Sequence, residues 1–258
     1  MKRLLKKVYK AYFQVLGYYP ASIRGFTFKL DPFHIEFWRS AEKDIWEPET
    51  FKIMSRFISA DSVYCDIGSW IGPTVIFAAK ISKKVICFEP DPYAYKYLLW
   101  NIHLNELHNV TSYSIAISDQ TSTMRMSSVG GNLGDSTTSL LNNSHESNTV
   151  DVLALQWNEF INLSKTEKID FLKIDIEGGE FALLPAMRDY LSLHKPIVYL
   201  SIHTPFLDVG LRREKMQQVI EVMKIYKNCL DQNLRPIDIS ELNSEDALAN
   251  FRSYIFMD

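Results

Sequence analysis

The stretch VYCDIGSWIG, residues 63–72, decides the fold. Val63-Tyr64-Cys65 is an apolar run that leads into Asp66 and Gly68; the run then breaks at a second glycine, Gly72. A new apolar periodicity, Val75-Ile76-Phe77-Ala78-Ala79, follows at once. This order predicts a buried strand, a tight glycine turn and a helix over residues 74–81. Such a turn brings backbone N–H groups and a helix N-terminus to a ligand. Glycine lets the chain bend there and approach the ligand without a side-chain clash.

Downstream the same rhythm repeats. A strand over 85–88 precedes a helix over 93–104 opened by Asp91-Pro92, and a strand over 110–117 follows. Strand alternating with helix implies a mostly parallel sheet with helices on both faces, and continuous apolar strands are what burial on both faces requires. Residues 118–149 interrupt the pattern with Ser, Thr, Asn and Gly, including GGNLGDSTTSLLNNSHESN at 130–148. A polar stretch of that length reads as a lid or insertion, with Met124 and Met126 marking one short edge strand inside it. The rhythm then resumes: a strand over 149–155, a helix over 156–163, a buried strand over 169–174, a helix over 181–191 despite Pro185, and a strand over 197–202 that ends at His203. A long amphipathic helix over 208–228 and two strands near 235–239 and 253–257 complete the chain.

Upstream of the turn, Pro48 opens a helical pattern reaching residue 58, and Phe26, Phe28 and Leu30 alternate as in a strand. Residues 31–47 read as short strands and loops rich in aromatics; His34, Trp38 and Trp46 belong either to the core or to the mouth of a cleft. Residues 1–17 carry Leu4, Leu5, Val8, Tyr9, Tyr12, Phe13 and Leu16 at helical spacings, with lysines opposite. The expectation is a helix packed on the domain with its lysines in water, the alternative being contact with an anionic membrane surface. The chain therefore divides into a small N-terminal helix and extension, 1–47, and an α/β domain, 48–258.

Composition bounds the rest. The chain has 258 residues, of which 47% are hydrophobic and 13% aromatic, enough for a packed core. A net charge of −3 argues against nucleic acid as the main partner, although Lys2, Arg3, Lys6, Lys7 and Lys10 give the first ten residues a local positive excess. Cys65, Cys87 and Cys229 are odd in number and lack a C-x-x-C spacing, so neither a disulfide framework nor a zinc site is indicated. No apolar stretch approaches the length of a membrane span, and the basic N-terminus lacks a continuous apolar signal core. The expected location is cytoplasmic.

Ligands of open α/β sheets bind at the carboxyl ends of the strands. Four points lie there: residues 66–72, Glu89-Pro90-Asp91, residues 175–180, and His203. Glu89 follows Gly68 by 21 residues and closes the next strand, where an acid is placed to accept both hydroxyls of a ribose. A dinucleotide fingerprint, G-x-G-x-x-G, would need glycine where Trp70 and Pro73 stand, and no G-x-x-x-x-G-K-[ST] is present. An adenosine ligand without a diphosphate remains, and S-adenosylmethionine fits.

DIGSWIGPT at 66–74, CFEPDP at 87–92 with NIHLN at 101–105, and above all FLKIDIEGGE at 171–180 resemble the FkbM family of S-adenosylmethionine-dependent methyltransferases, over roughly residues 60–203. The resemblance implies the Rossmann-like methyltransferase fold, a seven-stranded sheet whose last strand is antiparallel, and methylation of hydroxyls on sugars, polyketides and related metabolites. It implies that Asp66, Gly68, Ser69 and Gly72, with Trp70 and Thr74 of the same turn, surround the methionine part of the cofactor. Glu89 would hold the ribose, Ala116, Ile117 and Ser118 would sit beside the adenine, and Asp175 and Glu177 would face the methyl group and the acceptor. Many members read G-A-N where this chain reads Gly68-Ser69-Trp70, so the indole either points out of the turn or covers the cofactor.

Methyl transfer to a protonated hydroxyl calls for a general base or a metal. Asp175, Glu177 and His203 are the candidates for catalysis. Together they also offer oxygen and imidazole ligands to a divalent cation, although no metal is predicted. Glu180 either caps the following helix or joins the site. The expected partner is a small-molecule or glycan acceptor. The rival readings are a non-catalytic cofactor-binding protein of the same fold and a nucleotide-dependent oxidoreductase.

Overall fold

The computed structural model describes residues 2–128, 133–136, 138–139 and 149–258. Helix α1 spans Lys2–Leu16. Contrary to expectation, most of its apolar face among the described side chains, residues 6–16, is left in solvent. Phe13 packs inward, with its ring 5.1 Å from that of Tyr19, and Tyr9 hydrogen-bonds to Tyr19, while Val8, Tyr12, Val15 and Leu16 are exposed. Strands β1, Tyr19–Ile23, and β2, Phe26–Leu30, form an antiparallel hairpin. Its two-residue turn, Arg24-Gly25, has positive φ at both positions, as hairpin twist requires.

Residues 31–47, expected to be irregular, contain helix α2, Ile35–Glu42. Asp31 explains it. One carboxylate oxygen accepts the backbone N–H groups of Phe33 and His34, and the other accepts the indole N–H of Trp38 at 2.9 Å. Ile35, Trp38 and Ala41 then recur at three-residue steps and are buried. Helix α3, Pro48–Phe57, starts on a proline at its first turn, where the missing N–H costs nothing.

The sheet begins with β3, Val63–Ile67, followed by α4, Pro73–Ile81, and β4, Lys84–Phe88. Helix α5, Pro92–Leu104, is capped by Asp91, whose carboxylate accepts from the N–H groups of Tyr93 and Ala94. The strand expected over 110–117 is broken. Strand β5, Val110–Tyr113, stays in the main sheet, whereas β6, Ala116–Ser118, leaves it to pair in parallel with β9, Thr149–Gln156. Between them, β7, Ser122–Ser128, includes Met124 and Met126 and pairs antiparallel with β9, and β8, Thr138–Ser139, adds to β7. The centre of the expected lid, residues 129–132, 137, 140–148 and with them His145, lies outside the described residues.

Helix α6, Trp157–Ser164, β10, Phe171–Ile174, α7, Glu180–His194, and β11, Ile197–Ile202, follow as the pattern predicts. Helix α8, Val209–Met223, stops five residues short of expectation. The penultimate strand, β12, is Asn228–Asp231 rather than 235–239. Cys229 and Leu230 pair with the terminal strand, and Asp231 closes a turn by accepting the N–H groups of Asn233 and Arg235. Pro236, inside the expected strand, has no N–H to give a ladder. Helix α9, Glu245–Ala249, leads into β13, Arg252–Met257.

The main sheet has seven strands in the order β12-β13-β11-β10-β3-β4-β5, with β13 antiparallel to both neighbours and the other pairings parallel. Alternation along β3 splits the core. Val63, Cys65 and Ile67 join the side of α6, α7 and α8, while Tyr64 joins the side of α3, α4 and the N-terminal hairpin. The three cysteines are free and buried.

Candidate active site

A cavity of about 430 Å³ opens at the carboxyl ends of β3, β4, β10 and β11. The glycine turn forms one wall. Gly68 has φ +93°, and a Cβ there would stand 1.8 Å from the backbone oxygen of Asp175. Glycine is thus required by conformation and by the approach of β10 alike. Asn101, from the 101–105 motif, steadies the far side of the turn: its amide donates to the carbonyl of Ile71 at 2.9 Å and its oxygen accepts the N–H of Asp31 at 2.7 Å.

Trp70 adopts a left-handed φ of +47°. Its N–H donates to Glu89 Oε2 at 2.7 Å, and its indole N–H donates to the carbonyl of Gly134 at 2.9 Å. The ring meets Phe37 edge-on at 4.6 Å, so the indole is turned out of the glycine turn toward the N-terminal extension. Glu89 also accepts the N–H of Asp91 on Oε1 at 2.8 Å. Burial pushes the Glu89 carboxyl up to about 8, against the pull of those two N–H groups. When ionised, each oxygen keeps a lone pair for a further donor. Phe88, Ile115, Ala116, Ile117 and Met126 make the adjoining wall apolar.

Of the residues predicted to meet a cofactor, Gly68, Ser69, Trp70, Thr74, Glu89, Ala116, Ile117 and Asp175 line this cavity; Asp66, Gly72 and Ser118 lie behind its surface. Asp66 is fully buried and accepts Tyr64 Oη and Thr74 Oγ1 on the same oxygen, at 2.9 and 2.5 Å. Burial raises its pKa, opposed by Lys173. Gly72 is held by its φ of +93° and by Leu98, which a Cβ would meet at 2.6 Å. Ser118 donates to its neighbour Asp119.

At the other end stand Asp175, Glu177 and His203, all on the cavity wall. His203 Nε2 lies 3.4 Å from Asp175 Oδ1 and 3.5 Å from Glu177 Oε2. Lys173, on the buried strand β10, donates to Asp175 Oδ2 at 3.0 Å and sits 3.6 Å from Asp66 Oδ1. Glu180, fully buried at the start of α7, fixes the group from below. Its Oε1 accepts the backbone N–H of His203 at 2.6 Å and lies 3.3 Å from Nδ1 of the same ring, while Oε2 accepts the N–H of Gly178 at 2.9 Å. Glu180 is therefore part of the site and more than a cap.

These contacts set the charges. Burial opposes ionisation of Asp175, but Lys173 and then His203 hold its carboxyl below the usual range. Burial pushes Glu177 up to about 7. Burial works against a charged His203, yet Glu180 foremost, with Asp175 and Glu177, raises it to about 9. At neutral pH His203 is a cation between carboxylates and Glu177 is poised near its midpoint. One ligand atom from each of Asp175, Glu177 and His203 lies within 4.8 Å of the others, a spacing that also suits a divalent cation.

Of the remaining wall the sequence reading had named Trp46 alone. Trp46, Glu47 and Thr50 from the start of α3, Tyr199 and Ser201 from β11, and Phe206 and Phe251 complete the cavity. Thr50 Oγ1 bonds to Tyr199 Oη and to Glu47 Oε2, each at 2.9 Å. Tyr199, Ser201 and His203 alternate out of one strand, which was a readable signal. Of the three aromatics proposed for a cleft mouth, Trp46 reaches the cavity, Trp38 is wholly core, and His34 instead holds Asp31 through Nδ1 at 2.7 Å.

The model of the methyltransferase FkbM domain matches residues 66–232. No curated protein sequence matches the chain. Among solved structures, a methyltransferase FkbM from Methylobacillus flagellatus aligns with a TM-score of 0.51 and 16% identity, over 86% of this chain and 52% of the other, so the chain spans about half that protein's length. A putative transferase from Pyrococcus horikoshii aligns at 0.47 and 17% identity over 93% and 70% of the two chains. A putative methyltransferase from Streptococcus mutans in complex with SAH aligns at 0.43 and 11% identity over 81% and 96%.

Proposed function

The chain belongs to the FkbM methyltransferase family, and from that membership we propose that it is an S-adenosylmethionine-dependent O-methyltransferase acting on a hydroxyl of a sugar, glycan or related metabolite. The donor set fits the cofactor. Glu89, once ionised, has acceptor capacity on both oxygens for a pair of vicinal hydroxyls, the Phe88–Ile115–Ile117–Met126 wall offers apolar surface to a purine, and Gly68 lines the cavity beside them. The bound cofactor supplies an activated methyl group on a sulfonium.

The residues around it have separable tasks. Asp175, kept ionised by Lys173 and His203, presents negative charge at the reacting end of the cavity. Glu177, with a pKa of about 7, takes the acceptor's hydroxyl proton, since a base is most effective near the working pH. His203, protonated, is a poor base; it orients Asp175 and Glu177 and balances their charge. Trp46, Phe206 and Phe251 present aromatic surface, and Thr50, Tyr199 and Ser201 present hydroxyls, a combination suited to a polyhydroxylated acceptor.

The observation that carries this reading is the convergence of Asp175, Glu177 and His203 on one cavity that also contains Gly68 and Glu89. Calorimetry with S-adenosylmethionine, then turnover assays on candidate glycosides, test it. Binding followed by turnover that Asp175→Asn suppresses without loss of folding is the expected result. Binding with no turnover on any hydroxyl acceptor would support the non-catalytic reading. Binding of NAD(H) in place of S-adenosylmethionine would overturn the proposal.

A further inference from the structure

Helix α1 carries a feature that the cavity does not explain. At about 100° per residue, Val8, Tyr12 and Val15 fall on one line, with Tyr9 and Leu16 beside it, and Lys6, Lys7 and Lys10 fall on the opposite side. The apolar line is bare: Val8 is 60%, Tyr12 61% and Val15 90% exposed. Phe13, at the edge of that face, packs on the domain, and Tyr9 beside it hydrogen-bonds to Tyr19. A helix with an apolar face ordinarily buries it. This one leaves it open beside a cationic face whose one described ion pair is Lys6 with the exposed Glu36 at 3.4 Å.

We propose that α1 docks on an anionic lipid bilayer, lying in the interface with Val8, Tyr12 and Val15 inserted and Lys6, Lys7 and Lys10 at the headgroups. Charge complementarity selects this occupant. The first ten residues hold five cations and no acid, while the chain as a whole is −3, so the positive charge is concentrated where the apolar face is. Tyrosine is favoured at the headgroup level, where its ring is buried and its hydroxyl stays wet. No helix among the described residues is long and apolar enough to cross a membrane, so the contact is peripheral.

The test is co-sedimentation of the full chain with vesicles of phosphatidylcholine alone and of phosphatidylcholine with phosphatidylserine. The expected result is binding to the anionic vesicles only, weakening with added salt. Lys7→Ala and Lys10→Ala should each reduce affinity about fivefold. Val15→Asp should abolish binding, while Leu193→Asp, a change at an exposed leucine on α7, should leave it intact. Equal binding to neutral vesicles, no binding to either kind, or insensitivity to Val15→Asp would each overturn the proposal. So would a concentration-dependent dimer dissolved by Val15→Asp, which would assign the face to a second copy. Cofactor affinity, measured in parallel, should not change in these variants, so failure here is distinct from failure of the methyltransferase reading.

Discussion

Titrating His203 perturbs the centre of the site without changing the sequence. Its pKa in the fold is raised from 6.5 to about 9. A group so raised contributes stability that is fully present below its unfolded value and is lost as the pH climbs through its folded value. The window is therefore pH 6.5 to 9. At about 1.4 kcal/mol per pH unit the loss is roughly 3.5 kcal/mol. Two carboxyls act in neighbouring windows with the same sign. Glu177 and Glu89 are raised from 4.5 to about 7 and about 8, so the folded state holds their protons longer and loses stability as the pH rises to those values. Subtracting a His203→Gln variant removes most of their effect. Glu177, however, loses a neighbouring cation in the variant and keeps its proton to a still higher pH, which returns part of the difference. The expected decline in wild type minus variant stability is about 1–3 kcal/mol between pH 6 and 9.5. Urea unfolding at constant ionic strength, in the presence of a chelator, measures it. A difference that is flat across the window, or that grows with pH, would refute the assignment of His203 as a buried cation.

Three further outcomes are expected. Glu180→Gln removes the charge facing His203 and turns an amide N–H toward the N–H of Gly178; it should cost about 1–3 kcal/mol and move the alkaline decline to lower pH, as unfolding curves will report. Gly68→Ala faces both a φ of +93° and a backbone oxygen 1.8 Å from the new carbon. Its cost should exceed about 3 kcal/mol, and a melting temperature within a degree or two of wild type would contradict the close approach of β10. Glu89→Ala should weaken S-adenosylmethionine binding by about 1.5–3 kcal/mol; calorimetry showing an unchanged Kd would remove the ribose role.

The parts of the fold that were legible in the sequence are those where local pattern and burial agree. Strand β3 is apolar because both faces are buried, and Gly68 and Gly72 announce a turn because no other residue fits their backbone. The misreadings have physical causes. Asp31 organises α2 through its side chain, and hydropathy does not register a carboxylate that accepts three N–H groups. Strand β12 was displaced because Val222 and Met223 extend the helical pattern toward residues whose ladder partner, β13, lies far along the chain. Helix α1 shows the converse limit: periodicity fixes which residues share a face, and says nothing about whether anything covers it. In the site, the carboxyl-end residues were readable from their position after strands. Lys173 was visible as a lone charge in an apolar run, but its bridging of Asp66 and Asp175 depends on the register between β3 and β10, which only the sheet reveals.

The contact between Gly68 and the Asp175 carbonyl has a consequence for how a methyltransferase of the proposed kind would diversify. The two strand ends are in van der Waals contact and share a ladder, with the N–H of Asp175 bonded to the carbonyl of Ile67 at 2.9 Å, so neither end can shift to accommodate a new acceptor. Trp46, Thr50, Phe206 and Phe251 are borne by other segments and are free of that constraint. Selection for altered acceptors, in nature or in a mutant library, should therefore accumulate substitutions at those rim positions and leave the glycine turn untouched.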